Sequence, residues 1–212
     1  MKSEYTGKND KTEQKLEGYI IDIIKKTGLV EIQTKHFLKI KPKLKKLLGK
    51  YNIKLVYNIP LIKWIIKVDE NDNIISRRKS SKKGNLFHLF DELIYLIDII
   101  SNPNFSLEIV ITEEEEIRRD DGKGSWRRKG ISIIDRKLVR IIEKTKMERK
   151  GDYLEILPGS LKEPFSTKDI ACELGISIYL ARKILYFYKK VKVIKCTGKK
   201  GNLLLYKRNK SG

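Results

Sequence analysis

GYIIDIIKKTGLVEIQTKHF, residues 18–37, is the stretch on which the fold prediction rests. Two runs rich in aliphatic and β-branched residues, Tyr19–Ile24 and Leu29–Lys35, have the length and composition of β-strands. Gly28 lies between them, where a tight turn requires a positive φ. The stretch therefore predicts a two-stranded hairpin.

The second strand of this hairpin has polar side chains on one face. Because successive side chains of a strand point in opposite directions, Glu31, Gln33 and Lys35 should share a face, with Asp22 on the neighbouring strand. Carboxylate and amide oxygens suit a hard divalent cation, and a lysine can hold an attacking water beside a phosphate. Two interpretations are open: a metal site for phosphodiester hydrolysis, or a solvated strand face with an ion pair between Glu31 and Lys35.

The motif formed by Asp22 and Gln33-Thr34-Lys35 resembles the signature of the PD-(D/E)xK nuclease superfamily. It is similar to the variant with Gln in place of the second acid, which appears in Mrr-type restriction nucleases and in the TnsA-type transposon endonuclease. The resemblance implies that Asp22 and Gln33 bind Mg²⁺ or Mn²⁺, that Glu31 is a further ligand, and that Lys35 is the catalytic lysine.

The segment before the hairpin is short and polar, so we expect residues 1–16 to pack loosely. The nuclease superfamily usually places a glutamate on a helix ahead of its first strand. Glu4, Glu13 and Glu17 are the candidates in this chain, and the sequence predicts a helix around none of them.

The charge of the chain indicates a polyanionic partner. Its 212 residues include 47 Lys and Arg against 27 Asp and Glu, a formal net charge of +20. DNA or RNA is the simplest partner for this excess, with a lysine-rich proteome or an anionic membrane surface as alternatives.

The two cysteines are far apart and predict a reducing compartment rather than a disulfide framework. Without a transmembrane-length apolar run or a signal-peptide core, we expect a cytoplasmic protein with no membrane partner.

Hydrophobic periodicity over the rest of the first 150 residues predicts alternating strands and helices. The predicted strands are Asn52–Ile59, ended by Pro60, then Lys63–Val68, Ile74–Arg77 and Ser106–Ile111. The predicted helices are Lys39–Tyr51, Asn85–Ser101 and the second part of Ile131–Lys146, in which Ile134, Leu138, Ile141 and Ile142 have helical spacing.

A basic segment containing Ser and Gly follows the third of these strands. Such a run offers cations and backbone amides to phosphates, and a solvated loop is the alternative. Its cations are Arg77, Arg78, Lys79, Lys82 and Lys83.

A second candidate contact with nucleic acid is Trp126, which is followed by Arg127 and Arg128 in a loop over residues 120–130. An aromatic ring beside cations suits base stacking or wedging together with phosphate contacts. A tryptophan that holds the loop against the core is the alternative. The acidic run Glu113–Glu116, just before this loop, is expected to be solvated or paired with nearby bases rather than bound to metal.

The C-terminal part has the pattern of two helices followed by a hairpin. A turn-rich stretch places a boundary near Lys150, which predicts domains over residues 1–150 and 151–212. Ser166-Thr167-Lys168-Asp169 has a capping-box sequence, and Gly175 suits the turn after the first helix. A second helix, Ile178–Lys190, precedes two short strands. This order resembles a winged helix-turn-helix.

That resemblance implies a mode of DNA contact, because the N-terminal half of the second helix would enter the major groove. Winged helices that bind proteins are the alternative. The implied groove contacts are Ser177, Tyr179, Arg182 and Lys183, and the implied phosphate contacts at the tip of the wing are Lys199 and Lys200.

Together these patterns predict an α/β fold: a restriction-endonuclease-like mixed sheet flanked by helices, followed by a small winged helix-turn-helix domain. The first functional hypothesis is a Mg²⁺- or Mn²⁺-dependent DNA endonuclease targeted by the winged helix. The second is a non-catalytic DNA-binding protein whose nuclease-like fold serves for dimerisation or for holding DNA. An RNA-binding or RNA-processing factor is a third, and a homodimer or a partner protein is expected in addition to DNA.

Overall fold

A computed structural model describes residues 1–82 and 84–209. The fold is mixed α/β, with most of its core built on a sheet. Two compact units are assembled from discontinuous segments of the chain. The smaller unit comprises Asn58–Asn85 and Ile109–Thr145, and the larger comprises Lys2–Tyr57, Leu86–Glu108 and Lys146–Gly212. The predicted boundary near Lys150 stays a prediction.

The larger unit begins with a short helix and an antiparallel meander. Its elements are α1 (Lys2–Tyr5), β1 (Lys11–Leu16), β2 (Tyr19–Lys25), β3 (Gly28–Gln33) and α2 (Phe37–Leu47). β1 pairs with β2 and β2 with β3, both antiparallel, whereas β3 runs parallel to the beginning of β4 (Ile53–Val68). The predicted hairpin is therefore confirmed. Residues 1–16 were wrongly expected to pack loosely, since β1 pairs with β2 and Tyr5 is buried.

α2 joins β3 to β4 and buries one apolar face against the core. Phe37, Leu44 and Leu47 are almost fully inaccessible to solvent. The remaining positions of α2 are largely lysine, so the helix presents cations on its outer faces and apolar groups to the core.

The C-terminal part of the larger unit contains α4 (Thr167–Glu173), α5 (Ile178–Lys190) and a hairpin of β8 (Ile194–Lys200) and β9 (Leu203–Arg208). The capping box is present, because the Ser166 and Asp169 side chains each accept from the other's backbone amide. Gly175 has φ +60°, as the turn between the helices requires. The two helices and the hairpin therefore lie where the sequence predicts them.

Residues 85–101 do not form the single helix that the sequence predicts. A 3₁₀ helix, Leu86–Leu89, leads into α3 (Phe90–Leu93) and then into tight turns. Every third residue from Phe90 is buried, at Phe90, Leu93, Leu96 and Ile99. This spacing matches the three residues per turn of a 3₁₀ helix better than the 3.6 of an α-helix.

In the smaller unit β4 pairs with β5 (Ile74–Lys79) in the predicted antiparallel hairpin. β4 continues through Pro60, so the prediction that this proline ends the strand is wrong. Proline lacks only the amide donor, and its carbonyl oxygen accepts from the Gly84 amide at 3.1 Å.

The other two long strands are β6 (Phe105–Asp120) and β7 (Ile131–Met147). β6 extends well past the predicted end at Ile111 and includes the acidic run, whose carboxylates are paired as expected: Glu113 with Arg140, Glu115 with Arg77, and Glu116 with Arg118.

The predicted helix in the second half of residues 131–146 is wrong, because β7 is a strand throughout. Its Ile and Val residues favour extended backbone. Arg136 and Arg140 form ion pairs with carboxylates of β6, at 3.3 Å and 2.7 Å, which ties β7 to its neighbour.

Candidate functional site

The β2–β3 hairpin brings the two carboxylates of the nuclease-like motif together. The pairing of Ile23 with Val30 places Asp22 across from Glu31. The Asp22 amide donates to Glu31 Oε1 at 3.4 Å, and the Ile32 amide donates to Asp22 Oδ2 at 2.8 Å. Backbone and side chains of the two strands thus hold the acids side by side.

Each of these carboxylates already has a lysine partner. Lys2 Nζ lies 2.9 Å from Asp22 Oδ1, and Lys43 Nζ lies 2.5 Å from Glu31 Oε1. Glu31 is 2% exposed, and burial raises its pKa although Lys43 acts in the opposite direction. The negative charge of the hairpin is therefore balanced within the larger unit by ammonium groups of α1 and α2.

Of the other two motif residues, Gln33 lies on β3 as the sequence predicts, whereas Lys35 does not. β3 ends at Gln33, which is half-buried, and Lys35 lies beyond it in an exposed bend. The chain then turns at His36, with φ 68°, to begin α2. Lys35 therefore does not share a strand face with Gln33. Glu31 pairs with Lys43 rather than with Lys35, its partner in the alternative interpretation. The polar face is also less solvated than expected, because α2 brings Lys43 over Glu31.

One of the three candidate helix glutamates does lie on a helix, contrary to the prediction. Glu4 is an exposed residue of α1, the same helix whose Lys2 contacts Asp22. Glu13 instead pairs with Lys2 at 2.7 Å. The remaining candidate, Glu17, accepts from Lys50 at 2.8 Å.

These donors do not form a divalent-cation site as they are arranged. In the parts of the chain that the structure describes, no three His, Cys, Asp or Glu side chains are grouped to hold a metal ion. Asp22 and Glu31 are each engaged by a lysine, which would have to move before a cation could bind. The roles of Asp22, Glu31 and Gln33 as Mg²⁺ or Mn²⁺ ligands, and of Lys35 as catalytic lysine, stay predictions.

A second candidate site is the outer face of α5. Its buried face consists of residues such as Leu180, Ile184 and Tyr188, whereas Tyr179 is 65% exposed and Arg182 is exposed. The outer face of the helix thus presents both a ring and a guanidinium to solvent.

The other two predicted contacts of α5, Ser177 and Lys183, take part in interactions within the protein. The Ser177 hydroxyl caps the helix by accepting from the Leu180 amide at 3.2 Å. Lys183 Nζ lies 2.7 Å from Asp91 Oδ1 and 4.5 Å from the centre of the Tyr179 ring. The hydrogen bond to Asp91 of α3 raises the pKa of Lys183, so this lysine stays charged and bonded to α3.

The exposed face of α5 continues through residues that the sequence analysis did not single out. Tyr186 is 50% exposed, with Lys190 Nζ 5.6 Å from its ring centre, and Lys189 is exposed. Tyr186 and Lys189 lie seven residues after Tyr179 and Arg182, which is two helical turns, so helical periodicity applied to the first pair would have identified them.

The hairpin after α5 adds further exposed cations. Lys199 and Lys200 lie at the end of β8, next to the turn at Gly201, and both are exposed as predicted. Arg208 is held instead by Glu163, at 3.1 Å, and by backbone carbonyl oxygens.

In the smaller unit the cations of β5 are exposed along the whole strand. Arg77 stacks on Trp64, with 4.0 Å between the guanidinium carbon and the ring centre, and also pairs with Glu115. Arg78, Lys79 and Lys82 are exposed, whereas Lys83 lies outside the described residues.

Trp126 of the smaller unit is 84% exposed and begins a 3₁₀ helix, Trp126–Arg128. The interpretation in which this ring holds the loop against the core is therefore wrong. Arg127 approaches the same ring at 5.9 Å, while Arg128 donates to the Ile131 carbonyl oxygen at 3.1 Å and stabilises the loop. The ring is available for stacking.

No helix within residues 1–82 and 84–209 is long and apolar enough to cross a membrane.

Comparison with known proteins gives one family for the first part of the chain and a second match for the remainder. Residues 149–203 match a family described as FaeA-like protein. The chain is 30% identical over 213 residues to an uncharacterized protein of Treponema pallidum (strain Nichols), a match that covers all of this chain and 84% of that protein. No solved structure matches. Because residues 1–148 match the family described as domain of unknown function DUF8091, the chain belongs to the DUF8091 family.

Proposed function

We propose that this chain is a DNA-binding protein in which α4, α5 and the β8–β9 hairpin form a winged helix-turn-helix. The observation that carries the proposal is the outer face of α5, where Tyr179 and Arg182 project into solvent from the N-terminal half of the helix. A recognition helix contacts base edges with the outward residues of that half. The FaeA-like match, a winged-helix-like family, covers α4, α5 and β8 and ends at residue 203, where β9 begins.

Charge supports duplex DNA as the partner. The chain carries a formal net charge of +20. The hairpin that follows α5 in the sequence exposes Lys199 and Lys200. In the smaller unit, the exposed cations of β5 and the exposed ring of Trp126 are further candidate contacts. Cys172 and Cys196 are free thiols, in keeping with a cytoplasmic location. A homodimer or a partner protein stays a prediction.

Metal-dependent DNA cleavage is the second candidate function, in a restriction-endonuclease-like larger unit. Its support is the side-by-side placement of Asp22 and Glu31, together with a helix before β1 that carries Glu4 and a helix directly after β3. It ranks second because both acids are engaged by lysines and no third acid joins them in the described structure. Non-catalytic DNA binding does not require these lysines to move away from Asp22 and Glu31.

The first experiment measures binding of the purified chain to a fluorescent duplex over a series of salt concentrations, with double-stranded RNA as competitor. We expect the affinity to fall steeply as salt rises and RNA to compete poorly, because the A-form major groove does not admit a helix. Equal competition by RNA would favour the RNA-binding alternative. An affinity that does not change with salt concentration would contradict the proposal.

Cleavage is tested separately on supercoiled plasmid with Mg²⁺ or Mn²⁺, using Asp22→Ala and Lys35→Ala as paired variants. Nicking that both substitutions abolish would establish the nuclease. Intact plasmid under conditions that saturate binding is the result expected of a non-catalytic DNA-binding protein.

A further inference from the structure

We infer that Arg182 is the side chain with which α5 reads base sequence, and that it selects a guanine next to a thymine. This inference rests on the proposed function, since it assumes that α5 lies in the major groove. It adds to that function the class of DNA site that the helix would prefer.

The structure leaves few side chains in the N-terminal half of α5 free to reach base edges. Leu180 and Ala181 are buried. The Ser177 hydroxyl is engaged in capping, and Lys183 is bonded to Asp91. Arg182 is exposed, and the structure shows no hydrogen bond or ion pair between its side chain and any other described residue.

The chemistry of the exposed groups determines which bases they would recognise. A guanidinium donates two parallel hydrogen bonds to O6 and N7 of guanine, which is the commonest specific contact in the major groove. Ile178, which is 39% exposed, and the ring of Tyr179 precede Arg182 on the same face and present carbon atoms. Apolar groups at such positions contact the C5-methyl of thymine. Lys183, lying over the Tyr179 ring, limits where that ring can move.

The cations farther along α5 are suited to a different task. Lys189 lies two helical turns after Arg182 on the same face, at the C-terminal end of the helix. A recognition helix contacts bases through its N-terminal residues, so a cation in the last turn would contact phosphate and contribute no base preference. Lys189→Ala is therefore a matched control that removes an equal charge from the same exposed face.

The experiment selects binding sites from a library of duplexes with a randomised centre, using the full chain and the variants Arg182→Ala, Arg182→Lys and Lys189→Ala. We expect the wild-type chain to enrich a guanine next to a thymine. Replacing that guanine should weaken wild-type binding by about 5- to 150-fold, the range for one good bidentate contact. Arg182→Ala should lose this preference, and Lys189→Ala should keep it while binding all duplexes somewhat more weakly.

Arg182→Lys keeps the charge but lacks the planar fork, so it should bind duplexes with a reduced guanine preference. If Arg182→Ala or Arg182→Lys selects the same guanine as strongly as the wild-type chain, the inference fails while the proposed function stands. If the wild-type chain binds no duplex, the proposed function fails and the inference with it.

Discussion

Replacing Lys43 with alanine removes the ammonium partner of a buried carboxylate. Lys43 Nζ lies 2.5 Å from Glu31 Oε1, and the two side chains are 12% and 3% exposed. Breaking a buried pair by removing one partner typically costs about 3–5 kcal/mol, because the remaining charge stays out of water. Since Lys43 also donates to the Ile20 carbonyl oxygen, we expect a loss of about 3 kcal/mol or more in the free energy of unfolding.

The loss should depend on pH in a defined direction. Burial already raises the pKa of Glu31 above its ordinary value of 4.5, and removing Lys43 removes the main opposing influence. A carboxyl whose pKa is higher in the folded state than in the unfolded state favours folding at low pH and disfavours it above the folded pKa. The destabilisation should therefore be largest near neutral pH and shrink as the pH falls through the raised pKa.

Urea denaturation followed by circular dichroism measures this effect, with Lys45→Ala as the matched control. Lys45 is on the same helix and pairs with Asp98, but it is 54% exposed, so its loss should cost less than about 1 kcal/mol. Adding Glu31→Gln to Lys43→Ala should restore most of the lost stability, because the amide carries no charge. Equal losses for Lys43→Ala and Lys45→Ala, or no rescue by Glu31→Gln, would refute the reasoning.

Two further predictions concern α5 and the hairpin that follows it. Phe187→Ala should lower the free energy of unfolding by about 3–5 kcal/mol in denaturant titrations, because the ring is fully buried against Phe90 and Tyr153, whereas the exposed neighbour Tyr186→Ala should change it by less than about 0.5 kcal/mol. Replacing both Lys199 and Lys200 with alanine should weaken duplex binding equally for all sequences and reduce the slope of log affinity against log salt by about 2; an unchanged slope would remove these lysines from the interface.

Local sequence signals predicted those parts of the fold in which neighbours along the chain determine the conformation. Gly28 has φ 145°, a backbone conformation that residues other than glycine rarely adopt, so the turn between β2 and β3 favours glycine. The capping box at Ser166 acts within four residues and is found as predicted. Both are decided by contacts close in sequence or by the backbone itself.

The signals failed where distant segments decide the outcome. Ile134, Leu138, Ile141 and Ile142 have helical spacing, yet pairing with β6 places them in a strand. The partner of Glu31 is Lys43, on a different element, and no periodicity shows which of the many lysines of α2 reaches the hairpin. The same limit applies to Lys183. Its ion pair with Asp91, which is distant in sequence, occupies a side chain that was predicted to contact DNA.

Amide hydrogen exchange, measured with and without a saturating duplex, tests the central claim most directly. If α5 is a recognition helix and β8–β9 a wing, duplex DNA should slow exchange in residues 177–190 and 194–208, and leave the β2–β3 hairpin unchanged. Protection confined to other segments, with α5 exchanging at its unbound rate, would contradict the proposed mode of DNA binding.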